Sequence, residues 1–263
     1  MSPRRAVLGG AAAALLALAV AGCGADVEPS QDGATTAATT PTLSTTPTRP
    51  APARNRKPSS SSRASKLRPP LAFHVRRRTM LRTAPDGKMV AHIRTRTEFR
   101  SPTILAVAAR KPGWVLVRTS LARHHVGWLP LSAGSLFSQP RTIVIDLSRR
   151  TLTVFHRGKL TDRYKVAVGT AATPTPRGRF AVTDRLRTGD PGSDYGCCIL
   201  ALNAHQPKIA QGWGGGDRVA IHATPHTWTL GQAISHGCVR STNAALRQLM
   251  RHVRLGTPVT IHA

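Results

Sequence analysis

Residues 235–240 read Ser235-His236-Gly237-Cys238-Val239-Arg240, and upstream of them stands Ile221-His222-Ala223-Thr224. This is the densest reactive stretch of the chain. Cysteine is a strong nucleophile once deprotonated, and a nearby imidazole can take its proton. Gly237, immediately before the cysteine, lets a backbone N–H approach a reacting carbonyl closely. Arg240 can hold a carboxylate or a peptide carbonyl in a forked contact. Residues 218–222 read as a buried strand, which would carry His222 at its end. Together these residues predict a Cys–His acyl-transfer site.

A metal centre is the competing reading of the same atoms. His222, His226, His236 and Cys238 offer four nitrogen or sulfur donors of the kind zinc takes. No strand or helix pattern puts all four on one face, and a metal-bound thiolate could not act as a free nucleophile. The expectation is therefore a free thiol with no bound metal.

The run 235–240 closely resembles the Ser/Thr-His-Gly-Cys motif of the L,D-transpeptidase catalytic domain. His222 matches that family's upstream histidine, with Ala223-Thr224 where the family usually has Gly-Thr. Thr173-Pro174-Thr175-Pro176-Arg177-Gly178-Arg179-Phe180 and Trp228-Thr229-Leu230-Gly231 resemble two further stretches of it. The likeness covers residues 141–263. It implies a mainly β fold: a sandwich or barrel-like catalytic domain with one C-terminal helix. It implies Cys238 as nucleophile and His222 as general base and acid. His236 and Gly237 would line the acyl and oxyanion region, with the Cys238 N–H as a donor. Arg240, Ser235 and Thr224 would lie toward the substrate, Ser235 chiefly in a structural role.

The implied substrate is a peptidoglycan stem tetrapeptide, and the resemblance implies that no metal or organic cofactor is needed. The thiolate attacks the carbonyl between its third and fourth residues, D-alanine leaves, and a thioester forms. An amine of a neighbouring stem then resolves the thioester into a 3→3 cross-link. Carbapenems acylate this kind of cysteine, so sensitivity to them is implied as well. Two alternatives stand beside this one. Water could resolve the same thioester, giving an L,D-carboxypeptidase, or the domain could be a non-catalytic wall-binding lipoprotein.

Around the motif, residues 141–263 begin as β structure. Residues 142–147 form an apolar strand, and 151–156 should pair with 160–168 across Arg157-Gly158. Residues 179–183 and 257–262 read as further strands. The one clear helix is 243–254, where Leu246, Leu249, Met250 and Val253 fall on one face; Asn243 can cap its start and Gly256 its end. Cys197 and Cys198 are adjacent, either as a small buried pair or as a partner that can trap Cys238. Tyr195 and Trp213 are candidates for a substrate groove, and the glycine-rich run 212–216 for a loop over the site. His205, His226 and His252 read as surface or supporting residues.

Residues 71–140 read as a small β module. Short apolar runs such as Trp114-Val115-Leu116-Val117 and Val126-Gly127-Trp128-Leu129-Pro130 are separated by Pro85-Asp86-Gly87 and Lys111-Pro112-Gly113 turns. The pattern resembles a bacterial SH3-like barrel, which implies docking on wall peptide or glycan, or else a spacer packed on the next domain. Residues 24–70 are a Thr-, Pro- and Ser-rich tether that cannot bury enough apolar surface to fold. Residues 1–23 read as an export signal: Arg4 and Arg5 precede an apolar run too short to span a bilayer permanently. The run ends Val20-Ala21-Gly22-Cys23, which resembles a lipobox. Cys23 is accordingly the expected lipidation site, and the outer face of the cytoplasmic membrane the expected location.

Composition narrows the partners. Lys plus Arg is 38 and Asp plus Glu is 11, a net charge of +27, and only Glu28 and Glu98 are glutamates. A glycosidase built on paired glutamates is therefore not expected. Residues 71–140 carry +10 and residues 141–263 carry +11, so the excess is spread over both folded segments. Such charge points to an anionic partner. Export excludes nucleic acid, and leaves the membrane under the lipid anchor, anionic wall polymers and the stem peptides themselves.

Overall fold

The computed structural model describes residues 67–122, 124–209 and 217–263. The export signal, Cys23, nearly all of the tether, Trp213 and the 212–216 run lie outside the described residues. The described chain is mainly β, with one α-helix near its C-terminal end. None of its helices is long and apolar enough to cross a membrane.

The first sheet has seven strands: β1 Leu71–Val75, β2 Thr79–Arg82, β3 Met89–Ile93, β4 Ile104–Lys111, β5 Trp114–Arg118, β6 Val126–Pro130 and β7 Gly134–Ser138. Their order is β3-β2-β6-β5-β4-β1-β7. Alternation fixes the inward faces. In β5, Val115 and Val117 are buried while Trp114, Leu116 and Arg118 are less so, as a strand with one wet face requires. Phe73, Leu81, Val115, Val117 and Leu129 form its core. The strands β1 and β7, which pair from Leu71↔Ser138 to Val75↔Gly134, went unread in the sequence because both are short and flanked by polar or basic residues.

The second sheet is the larger. It is built of β8 Arg141–Asp146, β9 Thr151–His156, β10 Lys159–Lys165, β12 Gly178–Arg187, β13 Cys198–His205, β14 Arg218–Thr224, β16 Val239–Thr242 and β17 Pro258–His262. A separate short pair joins β11 Val168–Gly169 to β15 Ala233–Ser235 in parallel. The expected β9–β10 hairpin is present, with Arg157 at φ 51° and Gly158 at φ 80°, the positive pair that a two-residue turn of matching twist needs. Its second strand stops at Lys165 and does not run on to 168. Residues 168–169 leave the sheet to pair with β15, which brings the 170–178 loop to the cysteine segment.

The helix α1 Asn243–His252 packs its buried Ala245, Leu246, Leu249 and Met250 against β13, β14 and β16. Burying each large side chain contributes roughly 2 kcal/mol. The start cap lies one residue before the expected Asn243, and the end cap three residues before the expected Gly256. Thr242 is the N-cap, its Oγ1 accepting from Ala245 N at 3.0 Å, and Val253 ends the helix. Asn243 is left free for another task. Arg185 donates to the Met250 carbonyl, a cation on the negative helix end.

Gly256 serves the contact between the sheets. Its φ is +77°, and a Cβ there would stand 2.7 Å from Ile104 Cγ2 and 2.9 Å from Ala72 Cβ. Gln139 Nε2 donates to the Leu255 carbonyl at 3.0 Å beside it.

Candidate active site

The cysteine segment is held from inside. Gly237 has φ +116°, a conformation open to glycine, and it turns the chain from β15 into β16. The Ser235 hydroxyl clamps this turn, accepting from Gly237 N at 3.1 Å and donating to the Cys238 carbonyl at 2.5 Å. Ser235 is fully buried, so it shapes the turn and does not face a substrate. Because the Gly237 N–H is spent on that hydroxyl, it cannot also serve an oxyanion. Thr224 is sealed as well, at 0% exposure, with its Oγ1 accepting from His226 N at 3.2 Å; this corrects its expected place against substrate.

Strands β14 and β16 run parallel, with Ile221 opposite Val239 and His222 opposite Arg240. Carried back one residue, that register sets Cys238 beside Ala220, on the face His222 shares by alternation. Cysteine and histidine are thus diagonal neighbours on adjacent strands. Cys238 is half-buried and free of any disulfide. His222 is 3% exposed, and its Nδ1 lies 2.7 Å from the Ala223 carbonyl. A carbonyl only accepts, so Nδ1 carries the proton and Nε2 holds the lone pair. Tyr195 stands against the imidazole, ring centroids 4.9 Å apart.

Burial sets the protonation states. It pushes the His222 imidazole down to about 4, and the nearby Arg240 guanidinium adds to this. It pushes the Cys238 thiol up, partly offset by the Ala220 N–H and by Arg240. Both effects favour a neutral thiol beside a neutral imidazole. The arrangement can therefore pass a proton to Nε2 as the sulfur attacks. Arg240 is half-buried with an Nε that has no partner among the described residues. His236 is exposed at the mouth of the turn.

Two supports carried no signal in the sequence. Gln206 is 2% exposed, donates to the Pro174 carbonyl at 2.7 Å, and would lie 2.7 Å from a Cβ at Gly237. It joins the 173–178 loop to the cysteine turn, and Thr173 Oγ1 donates to the Ser235 carbonyl beside it at 3.2 Å. Asn243, released from capping, accepts from Cys197 N at 2.7 Å and donates to the Pro191 carbonyl at 3.1 Å. It thereby holds the loop that presents Tyr195. Nothing in a single glutamine or asparagine announces such a long-range bond.

Cys197 and Cys198 are joined to each other, and Cys238 is free. Gly196, at φ +55°, leaves room for Ala223, with which a Cβ on residue 196 would collide. His226 pairs with Asp194 at 3.5 Å and meets the exposed Trp228 edge-on, ring centroids 4.7 Å apart. His205 pairs with Asp217 at 2.7 Å, and His252 ends the helix. Among the described residues, no three His, Cys, Asp or Glu side chains converge as metal ligands would.

A family model, the YkuD L,D-transpeptidase catalytic domain, matches residues 140–261. The chain is similar to the L,D-transpeptidase YkuD of Bacillus licheniformis, 34% identical over 46% of this chain and 66% of that protein. It is similar to YkuD of Bacillus subtilis strain 168, 32% identical over 48% of this chain and 68% of that protein. The chain thus spans about two thirds of the length of these relatives. Among solved structures, an L,D-transpeptidase from Mycobacterium tuberculosis H37Rv aligns at 19% identity and TM-score 0.41, covering 52% of this chain and 72% of that one.

Proposed function

The chain belongs to the L,D-transpeptidase catalytic-domain family, and from that premise we propose that it cross-links peptidoglycan through a thioester on Cys238. The observation that carries this reading is the tautomer of His222. With Nδ1–H tied to the Ala223 carbonyl, Nε2 is the base on the face that Cys238 shares.

The steps follow from that geometry. As Cys238 Sγ attacks the carbonyl carbon of the donor stem, its proton passes to His222 Nε2. The resulting oxyanion takes the Cys238 N–H, since the Gly237 N–H is committed elsewhere. The C–N bond breaks, His222 returns the proton to the departing D-alanine amine, and a thioester remains. A stem amine attacks that thioester, gives its proton to Nε2, and releases the sulfur, which regains the proton. Arg240 holds a donor carboxylate or carbonyl, and Tyr195 with exposed His236 borders the entry. Carbapenem acylation of Cys238 is expected on the same grounds.

In this reading residues 1–23 export the chain and Cys23 anchors it by lipid. Residues 24–70 span from the membrane, residues 71–140 are an SH3-like module, and 141–263 are catalytic. The +10 and +11 of the last two segments hold the enzyme against anionic wall polymers.

The test is incubation with purified disaccharide-tetrapeptide, read by mass spectrometry. A dimer lacking one D-alanine is expected. Trimmed monomer alone would indicate hydrolysis instead, and full turnover by Cys238→Ala would overturn the assignment.

A further inference from the structure

A second concave site lies where the two sheets meet, apart from the thiol. It is a cavity of about 410 Å³, within the range of small-ligand pockets. One wall is the middle of the larger sheet, with Thr183, Asn203 and Arg218. The other is the chain after β3, with Arg94, Arg96 and Glu98. Cys238 is not part of it. The Arg218 carbonyl lies 4.0 Å from Cys238 Sγ, while the Arg218 guanidinium reaches the cavity.

Two features show what the cavity takes. The first is Asn203, 2% exposed. Its Oδ1 accepts from Ala181 N at 2.6 Å, which fixes Nδ2 as the remaining donor. That donor is buried without a partner among the described residues. An orphaned amide donor is costly and calls for an acceptor. The second feature is charge. Arg94, Arg96 and Arg218 face a single lining carboxylate, Glu98. Arg218 is already aligned, its Nη1 donating to Thr183 Oγ1 at 3.2 Å and to the Leu202 carbonyl at 3.1 Å, and its Nη2 to Glu98. Arg94 and Arg96 are exposed and can close on an incoming anion.

We propose that this cavity binds the carboxylate end of a short peptide. The terminal carboxylate lies among the guanidinium groups of Arg94, Arg96 and Arg218. A backbone carbonyl of the same peptide accepts from Asn203 Nδ2. Leu121, 52% exposed at the rim, covers an aliphatic side chain. A peptide fits better than a bare anion because the amide donor and the guanidinium cluster need two different acceptors. The site does not depend on whether Cys238 reacts with such peptides.

The experiment uses the full chain carrying Cys238→Ala, so that no peptide is consumed. Calorimetric titration compares N-acetyl-trialanine with its C-terminal amide, with and without Arg94→Glu/Arg96→Glu. Both arginines are exposed, and unchanged circular dichroism checks that the variant folds. The free acid should bind one per chain, the amide at least tenfold more weakly, and the charge reversal should weaken the acid at least tenfold. Inorganic phosphate at equal concentration should not displace it. Equal binding of acid and amide, indifference to the reversal, displacement by phosphate, or no binding at all would each overturn the proposal. The titration reads binding alone, so its outcome is separate from whether Cys238 cross-links stems.

Discussion

Acid should unfold this protein earlier than its carboxylates alone require, because of His222. Its folded value is about 4, against 6.5 for an unperturbed imidazole. The folded pKa lies below the unfolded one, so the unfolded chain binds the proton first as pH falls. The stability that comes from keeping His222 neutral is present above pH 6.5, drains as pH drops, and is gone below about 4. A gap of this size corresponds to about 3 kcal/mol, of which about 2 is lost by pH 5. With a urea slope of roughly 2 kcal/mol per molar, the midpoint should fall by about 1 M between pH 8 and pH 5 from this group. His222→Asn isolates the effect, since its amide can still donate to the Ala223 carbonyl but cannot titrate. Urea unfolding of both proteins at pH 8, 7, 6, 5 and 4 is the assay. The wild type should lose stability relative to the variant as pH falls. Parallel midpoints across the series would refute the reasoning. The same value sets the acid limb of kcat/KM near pH 4, where the proposed base becomes protonated.

Other expectations follow from single contacts. Gly237→Ala places a Cβ against Gln206 Nε2 at a φ of +116°, so turnover should fall at least a hundredfold while thermal unfolding shifts only modestly; near-normal turnover would contradict the strained turn. Asn243→Ala removes the anchors of Cys197 and Pro191 and should cost about 1–3 kcal/mol in chemical unfolding. In contrast, Thr242→Ala, which deletes the true cap, should cost about 1 kcal/mol. Retention of the protein on isolated cell walls should fall steadily as salt rises, because exposed charges are screened; salt-independent retention would remove the electrostatic account.

Much of the chemistry was written locally. The glycine before Cys238, the Arg157-Gly158 turn and the apolar stripe Leu246, Leu249, Met250 and Val253 each depend on neighbours within one turn or one hairpin. Spacing alone is enough to read such features, and a motif of this specificity carried the family and its mainly β fold. The errors also had local causes. Asn243 looked like a cap because asparagine favours that position, but the helix started after Thr242 and the asparagine bonded a loop far back in the chain. Thr224 was placed toward the substrate by the family resemblance, yet it is sealed against its own backbone, as is Ser235 in the structural role expected of it.

What folding alone decided is which distant groups meet. The parallel pairing of β14 with β16 sets His222 diagonally beside Cys238, and strand register has no signature in either segment by itself. The same holds for Gln206 under Gly237, for Asn203 and Arg218 opposite Arg94 and Arg96, and for Tyr195 against the imidazole. Protonation belongs with them: a histidine in a sequence has its ordinary value, and only burial beside Arg240 drives His222 down. Residue types and short-range spacing therefore determined the reaction class this chain is built for. Desolvation and long-range register determined which imidazole nitrogen carries the proton, which N–H the Ser235 hydroxyl already holds, and which groups line the second cavity.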